Sequence, residues 1–75
     1  MLPAQRFGQN VRKRREDLNL TQEDLAAEAG MHPTAISHIE LGKRDARFNN
    51  IVRLAAALDI APGDLFDGVA GEPGG

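Results

Sequence analysis

Three short hydrogen-bonding side chains, Thr34, Ser37 and His38, follow Pro33 at spacings that put them on one side of a helix. At about 100° per residue counted from Pro33, Ile36, Ile39 and Glu40 gather around roughly 290°, while Thr34 and His38 lie near 100° and 140° and Ser37 sits at the margin. Hydroxyls and an imidazole on a free helix face can donate to and accept from base edges in the major groove of duplex DNA. Each good contact there is worth roughly 1–3 kcal/mol of discrimination. An ordinary amphipathic helix with a solvated face would show the same stripe; the lack of long Lys or Glu side chains on this face favours base reading. Catalytic chemistry is not supported. The chain shows no nucleophile–base pair, no paired carboxylates and no phosphate-cradling loop, and its Gly-rich stretch is confined to the end. There is no cysteine, and His32 and His38 lack companions at metal-ligand spacing, so no enzyme activity, metal or cofactor is expected.

The reading stripe needs a helix, and that helix needs neighbours. The pattern of apolar residues, caps and breakers predicts five helices. The first runs from about Ala4 to Leu18, with Phe7, Val11 and Leu18 on one stripe. Thr21 opens the second: its hydroxyl can cap the N–H of Asp24, and Glu23 and Asp24 suit the positive end of the helix dipole. Gly30 should close that helix, and Pro33 suits the first position of the third, where its missing N–H costs nothing. The third should end near Leu41 with Gly42 as its cap. Asn49 is expected to open the fourth, with Ile51, Leu54, Ala55 and Leu58 at i, i+3, i+4, i+7; Pro62 opens a short fifth that supplies Leu65 and Phe66. Strand signals are nearly absent. Two short helices joined by a tight turn, Thr21 to Glu40, form a helix-turn-helix unit in which Leu25, Ala26, Ile36 and Ile39 face inward.

With 75 residues there is room for one domain, expected over 1–67, followed by a flexible Gly/Pro-rich tail over 68–75. No apolar run approaches the roughly 20 residues needed to span a bilayer and no secretory signal is visible, which points away from a membrane and to the cytoplasm. The net charge of −2 is unevenly spread. All nine Lys and Arg residues lie between Arg6 and Arg53, whereas the segment from Leu54 onward holds Asp59, Asp64, Asp67 and Glu72 and no base. A basic working end and an acidic far end suit a protein that sets one face on DNA, although chance clustering on a solvated surface would look the same.

The stretch from Leu20 through Thr21, Gln22, Glu23, Asp24, Leu25 and Ala26 to Gly30, followed by Ile36-Ser37-His38-Ile39-Glu40-Leu41-Gly42-Lys43, resembles the Cro-like helix-turn-helix family of phage repressors and xenobiotic-response regulators. Leu54 to Ile60 and Pro62 to Phe66 are similar to its later helices, so the resemblance spans about residues 5–67. It implies an all-α, compact five-helix domain like that of lambda repressor, binding double-stranded DNA through its third helix. It also implies roles at matching positions. Pro33, Thr34, Ser37 and His38 would face bases; Gln22, Lys43 and Arg44 would contact phosphates; Arg15 and Glu40 would form a structural ion pair. Arg12 and Arg14 are further candidates for phosphate contact, with plain solvated surface an equal alternative. Three positions depart from the family pattern: His32 stands where a Ser or Thr cap is common, Pro33 replaces a longer polar side chain, and Arg14 replaces an apolar one.

Three small base contacts leave little margin for the roughly 4–10 kcal/mol that separates specific from non-specific binding, so a homodimer on a palindromic operator is expected. Leu65, Phe66 and Val69 are the apolar residues proposed for its interface, the alternative being that Phe66 completes the core of one monomer and the tail frays. The leading expectation is a sequence-specific repressor. An antitoxin or a restriction–modification controller would use the same DNA-binding chemistry in another circuit, and a protein-interaction module would use the fold without DNA. Nothing in the chain suggests a second domain that could hold a small-molecule effector.

Overall fold

The computed structural model describes residues 1–71. They form α1 (Pro3–Asp17), α2 (Gln22–Ala29), α3 (Pro33–Glu40) and α4 (Phe48–Ala57), then a 3-10 turn over Pro62–Phe66. Four α-helices are thus followed by one short 3-10 helix, opened by Pro62 and carrying Leu65 and Phe66. Asp67, its C-cap, has already left helical dihedrals, and a piece this short suits 3-10 geometry. The start of α4 also differs: Arg47 is its N-cap and Phe48 its first residue, one position ahead of Asn49.

Each α-helix stops in the same way. Asn19, Gly30, Gly42 and Asp59 take up positive φ of 58°, 66°, 71° and 55°. The following N–H then reaches back to the last turn: Leu20 to the Arg15 carbonyl, Met31 to Ala26, Lys43 to His38 and Ile60 to Ala55. At Gly42 the glycine is doubly needed, because a Cβ there would also run into Gln5 of α1. Gly8 has a different use. A Cβ at this position would collide with the carbonyls of Ile39 and Glu40, so the residue lets α1 lie directly on the end of α3. Thr21 and Asp24 close the start of α2 reciprocally, the Asp24 N–H donating to Thr21 Oγ1 and the Thr21 N–H to Asp24 Oδ2, both at 3.0 Å.

α2 and α3 pack on each other; α1 backs α3, α4 backs α2, and the 3-10 turn sits against α1 and α4. The core collects Val11, Leu25, Ile36, Ile39, Leu54, Leu58 and Leu65, all essentially sealed from solvent. Full burial of such side chains contributes roughly 1.5–3 kcal/mol each. Leu65 is therefore core and not contact surface, which corrects its place in the expected dimer interface. Phe66, tilted against Phe7 at 5.2 Å between ring centres, keeps 43% of its surface exposed, and Val69 is half-buried against the core. Within the part expected to form a tail, the Val69 N–H bonds to the Phe66 carbonyl at 2.9 Å; residues 72–75 of that segment lie outside the described residues.

A polar stripe on α1 ties the carboxyl-terminal third to the rest. Arg6 Nε donates to the Asp67 carbonyl at 3.1 Å. Asn10 Nδ2 spans the carbonyls of Leu65 and Asp67 at 2.9 and 2.7 Å. Arg14 Nε donates to the Leu58 carbonyl at 2.9 Å. The i, i+4, i+8 spacing sets these three side chains in one row, and each takes carbonyls that the end of α4 or the 3-10 turn leaves open.

Candidate nucleic-acid interface

α3 is held from behind by one buried polar network. Glu40 is 6% exposed. Its carboxylate receives Arg15 through two parallel hydrogen bonds, Nε to Oε2 at 2.7 Å and Nη2 to Oε1 at 3.0 Å. Arg15 Nη1 adds a bond to the Leu20 carbonyl at 2.8 Å, and Gln22 Nε2 donates to Glu40 Oε1 at 3.1 Å. The Glu40 hydrogen bond is the main influence on Arg15, raising its pKa further above an already high value and holding it charged. The forked geometry fixes orientation as well as charge. Through this knot the end of α1, the start of α2 and the end of α3 are locked together, as expected of a structural Arg15–Glu40 pair. No buried side-chain polar atom among the described residues is left without a partner.

The opposite side of α3 is open. Thr34 is exposed, and Pro33, Ser37 and His38 are partly exposed. Two surface depressions flank the helix. One is lined by Arg15, Thr21, Gln22, Glu23 and Pro33, where α2 begins. The other is lined by Ala35 and Ile39 of α3 with Arg44, Asp45, Arg47 and Asn50 beyond it. Lys43 and Arg44 are exposed in the loop after α3, and neither is paired with a carboxylate among the described residues. α3 thus stands as a ridge with uncommitted cations on one side and the positive end of α2 on the other, an arrangement suited to phosphates flanking a groove.

Two sequence-derived phosphate contacts are placed otherwise. Arg14 bonds to the Leu58 carbonyl and, at 3.4 Å, to the Asp59 carbonyl, so it closes the end of α4 instead of facing a ligand. Arg12 is exposed but pairs with Glu16 at 3.4 Å one turn along α1. Gln22 lies at the expected helix start and is half-buried, and its side-chain N–H is engaged by Glu40 Oε1 at 3.1 Å.

The helix-turn-helix family model matches residues 11–65 of this chain. The chain belongs to that family. It is a DNA-binding transcription regulator by this membership and by its relatives. Control protein C.BamHI of Bacillus amyloliquefaciens is 45% identical over 62 residues, covering 81% of this chain and 76% of that protein. Control protein C.MunI of a Mycoplasma species is 37% identical over 68 residues, covering 89% and 92%. Among solved structures, the restriction-modification controller protein C.AhdI from Aeromonas hydrophila superposes with a TM-score of 0.83 at 40% identity, covering 84% of this chain and 96% of that one.

Within this helix-turn-helix chain, sequence reasoning missed Arg47 and Asn50. Both line the depression beside α3, and Arg47 has no carboxylate partner among the described residues. Starting α4 at Asn49 leaves Arg47 in a loop with no defined direction. The signal that could have found it is the capping register: with Arg47 as N-cap, the amino-terminal end of α4 opens beside α3. No helix among the described residues is long and apolar enough to cross a membrane.

Proposed function

We propose that this chain is a sequence-specific regulator of a restriction–modification gene system, binding a palindromic operator as a homodimer with α3 in the major groove. The observation that carries the reading is the pairing of two faces on α3. Thr34, Ser37 and His38 are free to read bases, while Lys43, Arg44 and Arg47 on one side and the start of α2 with Gln22 on the other are available for phosphates. Pro33 contributes shape and apolar contact. Arg12 is at most a peripheral phosphate contact. The circuit role is supported by the relatives, C.BamHI, C.MunI and C.AhdI, all control or controller proteins. Nothing about the α3 face favours an interaction module over DNA, since it carries neither an acidic nor an extended apolar stripe. The place of work is the cytoplasm, where the DNA is.

The dimer reading keeps Phe66 and replaces Leu65 with residues on α4. Phe48 is 79% exposed and Val52 44%, one turn apart on the same face. Ile51, beside Val52, lines one groove with Phe66 and half-buried Val69. Exposed aromatic and branched side chains at this end suit a contact between copies. A two-fold axis would then place two α3 helices about 34 Å apart in successive major grooves. Selection from random duplex DNA tests the reading; it should return a palindrome with half-sites one helical turn apart. Sedimentation of Phe48→Glu and Phe66→Glu on that duplex should show half-occupied complexes. Recovery of only single, non-repeated sites would overturn the dimeric arrangement, and absence of any enriched sequence would overturn specific binding.

A further inference from the structure

The first turn of α3 is closed by an imidazole. A helix begins with N–H groups that have no partner inside it. Pro33 has none to satisfy; the N–H groups of Ala35 and Ile36 reach the His32 carbonyl at 3.0 and 3.3 Å. The group left over is the Thr34 N–H, and it donates to His32 Nδ1 at 3.1 Å. An oxygen of Ser, Thr, Asp or Asn usually takes this place and holds it at any ordinary pH. An imidazole nitrogen accepts only while it carries no proton, so this contact selects the neutral tautomer protonated at Nε2. His32 is exposed, and no carboxylate among the described residues stands within ion-pair distance of its ring. On α2, Asp24 is engaged by Thr21, while Glu23 and Glu28 form no ion pair among the described residues; on α3, Glu40 is held by Arg15 and Gln22, and His38 lies on the next turn.

We propose that His32 is a positioning residue for base reading: with Nδ1 bare it fixes the backbone at Thr34, and a proton on Nδ1 releases it. Resting on the reading of α3 as the DNA-reading helix, this makes the two histidines act in opposite directions. Protonated His38 gains a charge-assisted donor beside DNA. Protonated His32 loses its acceptor and sets a cation against the positive end of the helix dipole.

The cap can be followed without DNA. Hydrogen-exchange protection of the Thr34 amide in the free protein should drop about fivefold between pH 8 and pH 5.5. It should stay constant in His32→Asn, whose amide oxygen caps without titrating, and be low throughout in His32→Ala. Nitrogen NMR of the imidazole should show Nδ1 bare and Nε2 protonated at pH 8. On the selected operator duplex, His38→Gln should bind several-fold more weakly at pH 5.5 than at pH 8, and the His32→Asn/His38→Gln double variant should give a flat profile. Constant Thr34 protection in the wild type, or a proton on Nδ1 at pH 8, would overturn the cap. Wild-type affinity in His32→Ala would overturn the positioning role alone. A Thr34 amide that follows pH in a chain that selects no duplex would overturn the DNA reading on which that role rests.

Discussion

The nine cations fall into two regions with opposite behaviour. Every one on α1 has a partner within the protein. Arg6 holds the Asp67 carbonyl, Arg14 the Leu58 carbonyl and Arg15 the Glu40 carboxylate, while Arg12 and Lys13 pair with Glu16 and Asp17 one turn on. None of Lys43, Arg44, Arg47 and Arg53 has a carboxylate partner among the described residues. Charge counts cannot distinguish the two groups. What separates them is whether an open carbonyl or a carboxylate lies within reach, and α1 runs past the ends of α4 and the 3-10 turn, where such carbonyls collect. The positive charge left without a carboxylate partner is thus concentrated in the loop after α3 and on α4, although α1 carries more of the basic residues.

The sharpest way to break this comparison is to cut the deepest of the inward ties. Arg15→Ala or Glu40→Ala leaves the other charge largely buried without its partner, since Glu40 keeps only 2% and Arg15 12% of side-chain exposure. A loss of about 3 kcal/mol in unfolding free energy is expected from urea denaturation. Unchanged midpoints would mean that the network is ornamental and that α3 is held by its apolar face alone.

Arg14→Ala and Arg44→Ala then separate the two classes directly. Arg14→Ala should lower stability by about 1 kcal/mol, because the end of α4 loses a charged donor, and should leave the salt dependence of DNA binding as it was. Arg44→Ala should leave the urea midpoint nearly unchanged and reduce the slope of log K against log salt by about one unit, as should Lys43→Ala. A flattened slope in Arg14→Ala would place that guanidinium on the DNA and overturn its assignment to the scaffold.

Smaller effects are expected where a pair is exposed. Arg12→Ala and Lys13→Ala remove i, i+4 pairs whose four side chains are all more than half exposed, and such pairs contribute roughly 0.2–0.5 kcal/mol. Neither variant should change the affinity for a selected duplex by more than about twofold. A tenfold loss in Arg12→Ala would move that residue into the DNA-contacting group.

Gly30, Gly42, Thr21 and Pro33 announce the ends of α2 and α3 because their backbone chemistry is local, and the Ile36–Ile39–Glu40 side of α3 follows from periodicity. The Arg15–Glu40 pair was legible through family resemblance, not through spacing, since 25 positions separate its members. Nothing in the sequence marks Arg14 as a helix-closing residue, because its partner is a backbone carbonyl, which has no sequence signature. Leu65 was misplaced for a similar reason: five residues after Ile60 the chain turns back under α1, and that return depends on Asn10 and Arg6 gripping carbonyls from another helix. The stop signals at Asn19 and Asp59 went unread because glycine is the stronger sign of a left-handed turn.

The smallest expected effect concerns the two helix starts, which use different chemistry for the same task. α2 is closed by a hydroxyl–carboxylate exchange and α3 by an imidazole. The Thr21 backbone N–H is the main cause that holds the Asp24 carboxyl below its ordinary pKa, with the Thr21 side chain second. A carboxyl whose folded pKa lies below its unfolded value adds stability that is present above the unfolded value, near 4, and is lost as pH falls through the folded one. Asp24→Asn removes this titration while keeping a hydrogen-bonding oxygen at the position. The wild type should therefore exceed Asp24→Asn in urea midpoint by a small, steady amount from pH 7 down to about 5, and the difference should shrink toward zero below pH 3. A gap between wild type and Asp24→Asn that stays constant down to pH 2 would show that the carboxyl contributes through shape and not charge.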